Sequence, residues 1–372
     1  MTFDRNIPFN DLPLLPPEVE LESKAILKKA ITANRELAEL KGAGDALPNQ
    51  SILINSIVLQ EARLSSEIEN IVTTTDELYR AAGEDPKKID HHTKEVLRYR
   101  EALWSGFEQI KKRPLSTNLF IDLVRIIKLT DLGIRKVPGT KIANSLGKVV
   151  YTPPEGEGAI RDLLSNLERF AHAEDGLDPL VKLAVFHYQF EAIHPFTDGN
   201  GRTGRILNIL YLVEKGLLDI PVLYLSHFII RNKNDYYTKL RGVTEKNGWE
   251  EWILYMLGAI EITARQTRTK IVRIRDLMNE AQELILSRAG KIYSKDLVEL
   301  IFEQPYCKIR FLEQRHIAKR QTASVYLKAL EDIGLLEGVK AGREVYYLNK
   351  KLLSVLQEEE SGKGSPQDMS IK

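Results

Sequence analysis

Apolar residues recur at helical spacing along most of this chain. From Glu22 to about Lys41 the pattern predicts a helix that stops at Gly42-Ala43-Gly44, and a second helix starting near Pro48 through Ile52, Ile54, Ile57 and Leu59. Three further helical patterns fill residues 75–130. Their apolar positions, Val96, Tyr99, Leu103, Trp104 and Phe107, then Leu119, Leu123, Ile126 and Ile127, are expected to face the core. Residues 131–154 change character: Ile142 and Val149-Val150-Tyr151 flank the turn-like 144–148, predicting a β-hairpin. Another helix is expected over residues 160–172. Asp178 then reads as an N-cap with Pro179 at the first helical position, and Leu180, Leu183, Ala184 and His187 carry the helix to about Phe190. From Thr203 to Lys215 the chain is apolar nearly all round, which predicts a helix at the centre of the fold, ended by Gly216. A charged helical stretch runs from about Ile260 to Ser287. The fold class expected is mainly α.

Residues 1–20, with Pro8, Pro13, Pro16 and Pro17, read as an extended arm laid over the domain. Residues 291–350 read as a small separate module. Ser294 caps a helix to Phe302, Pro305 breaks it, short helices follow at 309–315 and 319–333, and Val339 with Val345-Tyr346-Tyr347-Leu348 flanks a turn at 341–343. This resembles the regulatory winged-helix domains of bacterial transcription factors. Residues 291–350 hold eleven Lys/Arg against eight Asp/Glu, a modest excess, so DNA binding through Lys319, Arg320, Gln321, Ser324 and Lys328 stands level with a protein-contact role. From residue 358 the tail is polar and is expected to be disordered.

Length allows two or three domains among 372 residues. Lys plus Arg is 53 and Asp plus Glu 52, so no overall field steers the chain to nucleic acid or membrane. The single Cys307 excludes an internal disulfide and a cysteine-based metal cluster. No signal peptide or membrane-spanning run is apparent, and a cytoplasmic setting is expected. The adjacent His91 and His92 point apart on a helix and read as a solvated helix start; His187, on an apolar stripe, reads as a core histidine.

The chemistry concentrates in His194-Pro-Phe-Thr-Asp198-Gly199-Asn200-Gly201-Arg202-Thr203-Gly204-Arg205. A glycine-rich turn on the N-terminus of a buried helix offers backbone N–H groups and the helix dipole to an anion. Arg202 and Arg205, three apart, share a face and suit a polyphosphate. Asp198 is a hard oxygen ligand for magnesium shared with phosphates. His194 can act as a general base near neutral pH. Those parts belong to a nucleotidyl or phosphoryl transferase.

At these positions the chain resembles the Fic family, whose motif His-x-Phe-x-Asp/Glu-Gly-Asn-Gly-Arg-x-x-Arg is matched at every fixed position. The resemblance implies a Fic helical core whose hairpin near 140–153 is a flap that positions the hydroxyl-bearing segment of a protein target. It implies transfer of AMP from ATP to a Ser, Thr or Tyr hydroxyl. In that scheme His194 is the base, Asp198 holds Mg²⁺, the turn from Gly199 through Asn200, Gly201, Thr203 and Gly204 cradles phosphates, and Arg202 and Arg205 clamp the β and γ ends. Tyr236-Tyr237 would line the adenine pocket, with Tyr237 the preferred contact, since tandem residues on a helix diverge by about 100°. Gly201, where family kinases carry lysine, favours AMP transfer.

Upstream, Ser65…Glu69-Asn70 fits the family's inhibitory motif, which implies that Glu69 pairs with Arg205 and takes the place of the ATP γ-phosphate. A purely local reading of the same stretch is a capping box, with Ser66 as cap and Glu69 returning the bond. The expected division is 1–110 N-terminal helical region, 111–260 catalytic core, 261–290 helical connector, 291–357 winged helix and 358–372 tail. Self-modification and a homodimer are compatible with the resemblance. Rival readings are removal of AMP from a modified target with Glu69 orienting a water, transfer of another group such as UMP, and a DNA-binding regulator with a dormant core.

Overall fold

The computed structural model of the chain describes residues 3–45, 49–81, 89–144, 146–341 and 344–357. The N-terminal half carries α1 (Lys24–Asp45), α2 (Ser51–Leu53), a π-helical turn (Ile54–Val58), α3 (Leu59–Ile68), α4 (Thr75–Ala81), α5 (His91–Ile110) and α6 (Thr117–Lys128). A two-stranded antiparallel hairpin follows, β1 (Ile142–Ala143) and β2 (Val149–Tyr151). Then come α7 (Glu157–His172), α8 (Pro179–Ile193), α9 (Asn200–Glu214), α10 (Leu225–Arg231), α11 (Lys233–Lys246) and α12 (Trp249–Ala289). The C-terminal module consists of α13 (Lys295–Glu303), β3 (Tyr306–Cys307), α14 (Ile309–Gln314), α15 (Arg320–Asp332), β4 (Glu337–Ala341), β5 (Glu344–Leu348) and α16 (Lys350–Gln357). Its strands lie in the order β3-β5-β4, all antiparallel. The chain is mainly α, as its periodicity predicts.

The all-round apolar segment is the centre. Every side chain of α9 from Arg202 to Leu212 is buried, and α9 packs against α3, α5, α6 and α8. Gly106 of α5 lets one of those helices come close: a Cβ there would lie 2.5 Å from Leu210 Cδ1 and 3.1 Å from Leu123 Cδ2. α8 is buried almost throughout, capped at its start by Asp178, whose Oδ1 accepts from the Leu180 amide at 2.8 Å. The fully buried Trp252 ties α12 to α8 by donating Nε1–H to the Ala184 carbonyl at 2.8 Å.

Several boundaries differ from expectation. Gly42-Ala43-Gly44 does not end α1, which continues to Asp45 along the side of α12. Two glycines in a helix cost roughly 1 kcal/mol each, and packing against a 41-residue partner outweighs that local preference. That partner, α12, absorbs both the Trp249 segment and the charged 260–287 stretch into one helix. The start expected at Pro48 lies outside the described residues, as do the 342–343 turn and the 358–372 tail. Ser66 caps nothing: it sits buried in the last turn of α3, and Glu69 is the C-cap position. The capping-box reading therefore fails, because the helix continues into this stretch from the N-terminal side. Trp104 is 39% exposed and lies against Phe107 and Lys111 instead of the core. β3 and α16 had no counterpart in the sequence pattern.

The central position of α9 sets a stability contrast. Leu210→Ala should lower the unfolding free energy by about 2–5 kcal/mol. Leu146→Ala, between the two hairpin strands and 89% exposed, should change it by less than about 0.5 kcal/mol. Urea denaturation of both variants reads the difference.

Candidate active site

The residues of the twelve-residue motif are gathered between two helices. α8 ends at His194, whose φ of 49° is left-handed, and Gly199 at φ 84° turns the chain into α9. The left-handed state is uncommon for a residue with a Cβ and persists only where the surroundings over-determine it. Here they do. Arg135, itself buried, donates Nε–H to the His194 carbonyl at 2.8 Å and a second bond to the Ile193 carbonyl at 3.3 Å, and its NH2 also reaches the Pro154 carbonyl at the base of the hairpin. A cation on the last carbonyls of α8 complements the helix dipole. The Asn200 side chain closes the loop from the other side: Oδ1 accepts from the Phe196 amide at 2.9 Å and Nδ2 donates to the Phe196 carbonyl at 2.8 Å. Phe196 is fully buried beneath the loop.

His194 is half-buried and opens onto a cleft of about 800 Å³. Burial, with the nearby Arg135 charge, pushes its imidazole down to about 4 against the opposing pull of Glu69 and Asp198. The ring is therefore neutral at physiological pH, the form a general base needs.

Both arginines lie inside the protein and both are held by carboxylates. Arg205, 1% exposed at its side chain, donates Nε–H to Ser65 Oγ at 2.8 Å and NH2 to the Ser65 carbonyl at 2.8 Å and Glu69 Oε1 at 2.9 Å. Burial alone would raise the Glu69 carboxyl, but the Arg205 charge and hydrogen bond hold it below its ordinary range. The same carboxylate lies directly over Gly201, where any Cβ would overlap it. Asn70, at φ 62°, takes the chain out of α3 and lines the cleft beside Glu69. Arg202 donates to Glu95 Oε1 at 2.7 Å. Thr203 and Gly204 are buried in the first turns of α9; Thr203 Oγ1 has no hydrogen-bond partner among the described residues, and Glu191 packs against Gly204.

Tyr236 and Tyr237 separate as their helical offset requires. Tyr236 is buried, with its hydroxyl 2.8 Å from His187 Nε2 in the core, and does not line the cleft. Tyr237 is 37% exposed and does. Ile142, Ala143 and Tyr151 of the hairpin form another wall. The N-terminal arm packs there too: the Phe9 amide donates to the Thr152 carbonyl at 3.0 Å, and Phe3 stacks on Tyr151.

Asp198 is 60% exposed at the loop, with Oδ2 2.5 Å from Lys128 Nζ. Burial raises its carboxyl, but Lys128 and Arg202 outweigh this and hold it ionised below the usual range. Among the described residues no three His, Cys, Asp or Glu gather into a metal cluster. One largely exposed hard carboxylate just before the start of α9 fits Mg²⁺, which takes one or two carboxylates and completes its shell with phosphates and water. Sequence reasoning missed Arg135, Glu95 and Lys128. Each reaches the motif across a long separation in the chain, and no local spacing marks it.

Three family models match in succession: Fic/DOC family N-terminal over 27–108, Fic/DOC family over 114–212, and protein adenylyltransferase SoFic-like, C-terminal domain, over 277–352. A probable protein adenylyltransferase of Aquifex aeolicus is 25% identical over 302 residues, 76% of this chain and 84% of that protein. Protein adenylyltransferase Fic of Culex quinquefasciatus is 32% identical over 137 residues, 36% of this chain, which spans only 26% of that longer protein. The fold is shared with a Fic family protein from Desulfovibrio desulfuricans (TM-score 0.56, 18% identity, 90% of this chain and 98% of that one). It is also shared with a Fic domain signalling protein from Bacteroides thetaiotaomicron (TM-score 0.52, 19% identity, 65% and 96%). With the motif, its buried helix and the cleft above it in place, the chain carries Fic/DOC family N-terminal and Fic/DOC family domains followed by a SoFic-like C-terminal domain, and is similar to protein adenylyltransferases.

Proposed function

We propose that the chain transfers AMP from ATP to a hydroxyl side chain of a protein target and is held in check by Glu69. The observation that carries this is the Glu69 carboxylate seated on Gly201 and bonded to Arg205, with the His194 imidazole at the wall of the same cleft. A carboxylate there occupies the position of a terminal phosphate and engages the guanidinium that would bind it. When ATP displaces Glu69, Arg205 takes the γ end, and backbone N–H groups at the start of α9 face the phosphates. His194 accepts the proton of the target hydroxyl, whose oxygen bonds to the α-phosphorus as the bond to pyrophosphate breaks. Bound Mg²⁺ would supply charge neutralisation at the phosphate oxygens, with Asp198 as its protein carboxylate. Tyr237 offers an aromatic face to the adenine. The edge of the short hairpin suits backbone pairing with an extended target segment, an edge-strand mode that tolerates varied sequences.

The division proposed is a regulatory N-terminal region to about residue 110, a catalytic core to 260, a connector within α12 and a C-terminal module from 291. No helix among the described residues is long and apolar enough to cross a membrane. Removal of AMP by the same site would use Glu69 to orient water. Incubation with AMPylated target tests it directly.

Glu69→Gly should raise labelling of target or self from α-labelled ATP by about tenfold to a hundredfold, the worth of one charge-assisted bond to Arg205. Equal labelling by the native chain would remove the inhibitory role. In the Glu69→Gly background, His194→Ala should cost about a hundred- to ten-thousandfold in rate. The acid limb of kcat/KM should fall near pH 4, the value to which burial lowers His194, and not near the 6.5 of a free imidazole. The sign follows from the base losing its working neutral form as pH drops through that value; a pH–rate profile reads it.

A further inference from the structure

A second set of charges reaches the motif from outside it. Arg202, Glu95, Lys128 and Asp198 form one continuous chain. Arg202 NH1 lies 2.7 Å and Lys128 Nζ 3.2 Å from the same Glu95 Oε1, and Lys128 Nζ lies 2.5 Å from Asp198 Oδ2. Side-chain exposure rises along it, from 2% at Arg202 and 7% at Glu95 to 23% at Lys128 and 60% at Asp198. Glu95 belongs to α5, Lys128 to the last turn of α6 and Asp198 to the motif loop, so three separate elements meet at one ammonium. The stem of Lys128 runs beside Gly199: a Cβ there would lie 3.5 Å from its Cγ.

An ammonium and a divalent cation compete for the same carboxylate oxygen, since each draws its stability from that charge. Lys128 has a second acceptor ready, and Arg202 pins that acceptor in place. We propose that Lys128 is the resident counter-ion of Asp198, which a divalent cation must displace, and that Glu95 is the seat to which the ammonium retreats. Lys128 and Glu95 are then positioning residues that set cation affinity. This rests on the reading of Asp198 as the cation carboxylate.

The test is titration of Mn²⁺ into the full-length chain saturated with a non-transferable ATP analogue, with bound cation followed by water-proton relaxation. Lys128→Met keeps the stem against Gly199 and removes the charge; it should tighten Mn²⁺ about tenfold. Lys128→Arg keeps the charge and should stay within about twofold of the native chain. Glu95→Gln removes the retreat and should weaken Mn²⁺ severalfold. Thermal melts of each variant check that it is folded. Unchanged or weaker Mn²⁺ binding in folded Lys128→Met overturns the competition, and native affinity in folded Glu95→Gln overturns the retreat. Asp198→Asn separates the two layers: if it leaves Mn²⁺ binding intact, the cation reading of Asp198 falls and the inference with it.

Discussion

The buried guanidinium of Arg205 is the constraint around which the molecule is arranged. A cation with a side chain 1% exposed is tolerable only when its donors are satisfied, because an uncompensated buried charge is among the most destabilising features a fold can contain. The protein satisfies it with the end of α3: a hydroxyl, a carbonyl and a carboxylate, all from residues 65–69. The N-terminal region is therefore part of the electrostatic completion of the site. A ligand that competes for Arg205 must offer equivalent negative charge, and a terminal phosphate does.

A similar pairing recurs at Arg202, whose NH1 α5 engages through Glu95. Two helices preceding the catalytic core thus each send a carboxylate to one of the two motif arginines. Their cores are tied in as well. Glu61 of α3, buried and pushed up to about 7 by burial against the hydrogen bonds from Ser226, holds the start of α10 by the Ser226 amide at 2.9 Å. The C-terminal module is docked on this region too: Asn55 donates to Glu303 at 3.1 Å, and the Tyr306 hydroxyl bonds Asp76. Residues 65–69 thus touch Arg205 and Lys233, while Asn55 and Asp76 on either side of them in the chain touch the C-terminal module.

Around His194 the protein combines rigidity with access. Arg135 and Asn200 hold the left-handed turn on its two sides, and the ring remains at the wall of the cleft. Lowering the imidazole by burial costs little where the partner charges that would raise it, Glu69 and Asp198, are already committed to Arg205 and Lys128. A neutral base next to ionised carboxylates follows from who is paired with whom.

The residues themselves determined much of this. The all-round apolar 203–215 run read as a central helix, and Ile142 and Val149-Val150-Tyr151 flanking a turn-like stretch read as a hairpin; both elements are present. These are local signals, set by spacing and backbone freedom over a few positions. The pairing of Glu69 with Arg205 was foreseen from motif resemblance, and the partnership is visible in space. What only the tertiary structure decided is everything that depends on elements meeting: that Ser66 ends a helix instead of starting one, that α1 runs through its glycines against α12, that Tyr236 is core while Tyr237 faces the cleft, and that Arg135, Glu95 and Lys128 serve the site at all. A lone charged residue on a helix carries no mark of its partner. Its role is fixed by Coulomb attraction across a few ångströms, and those ångströms exist only after residues dozens of positions apart have been packed together.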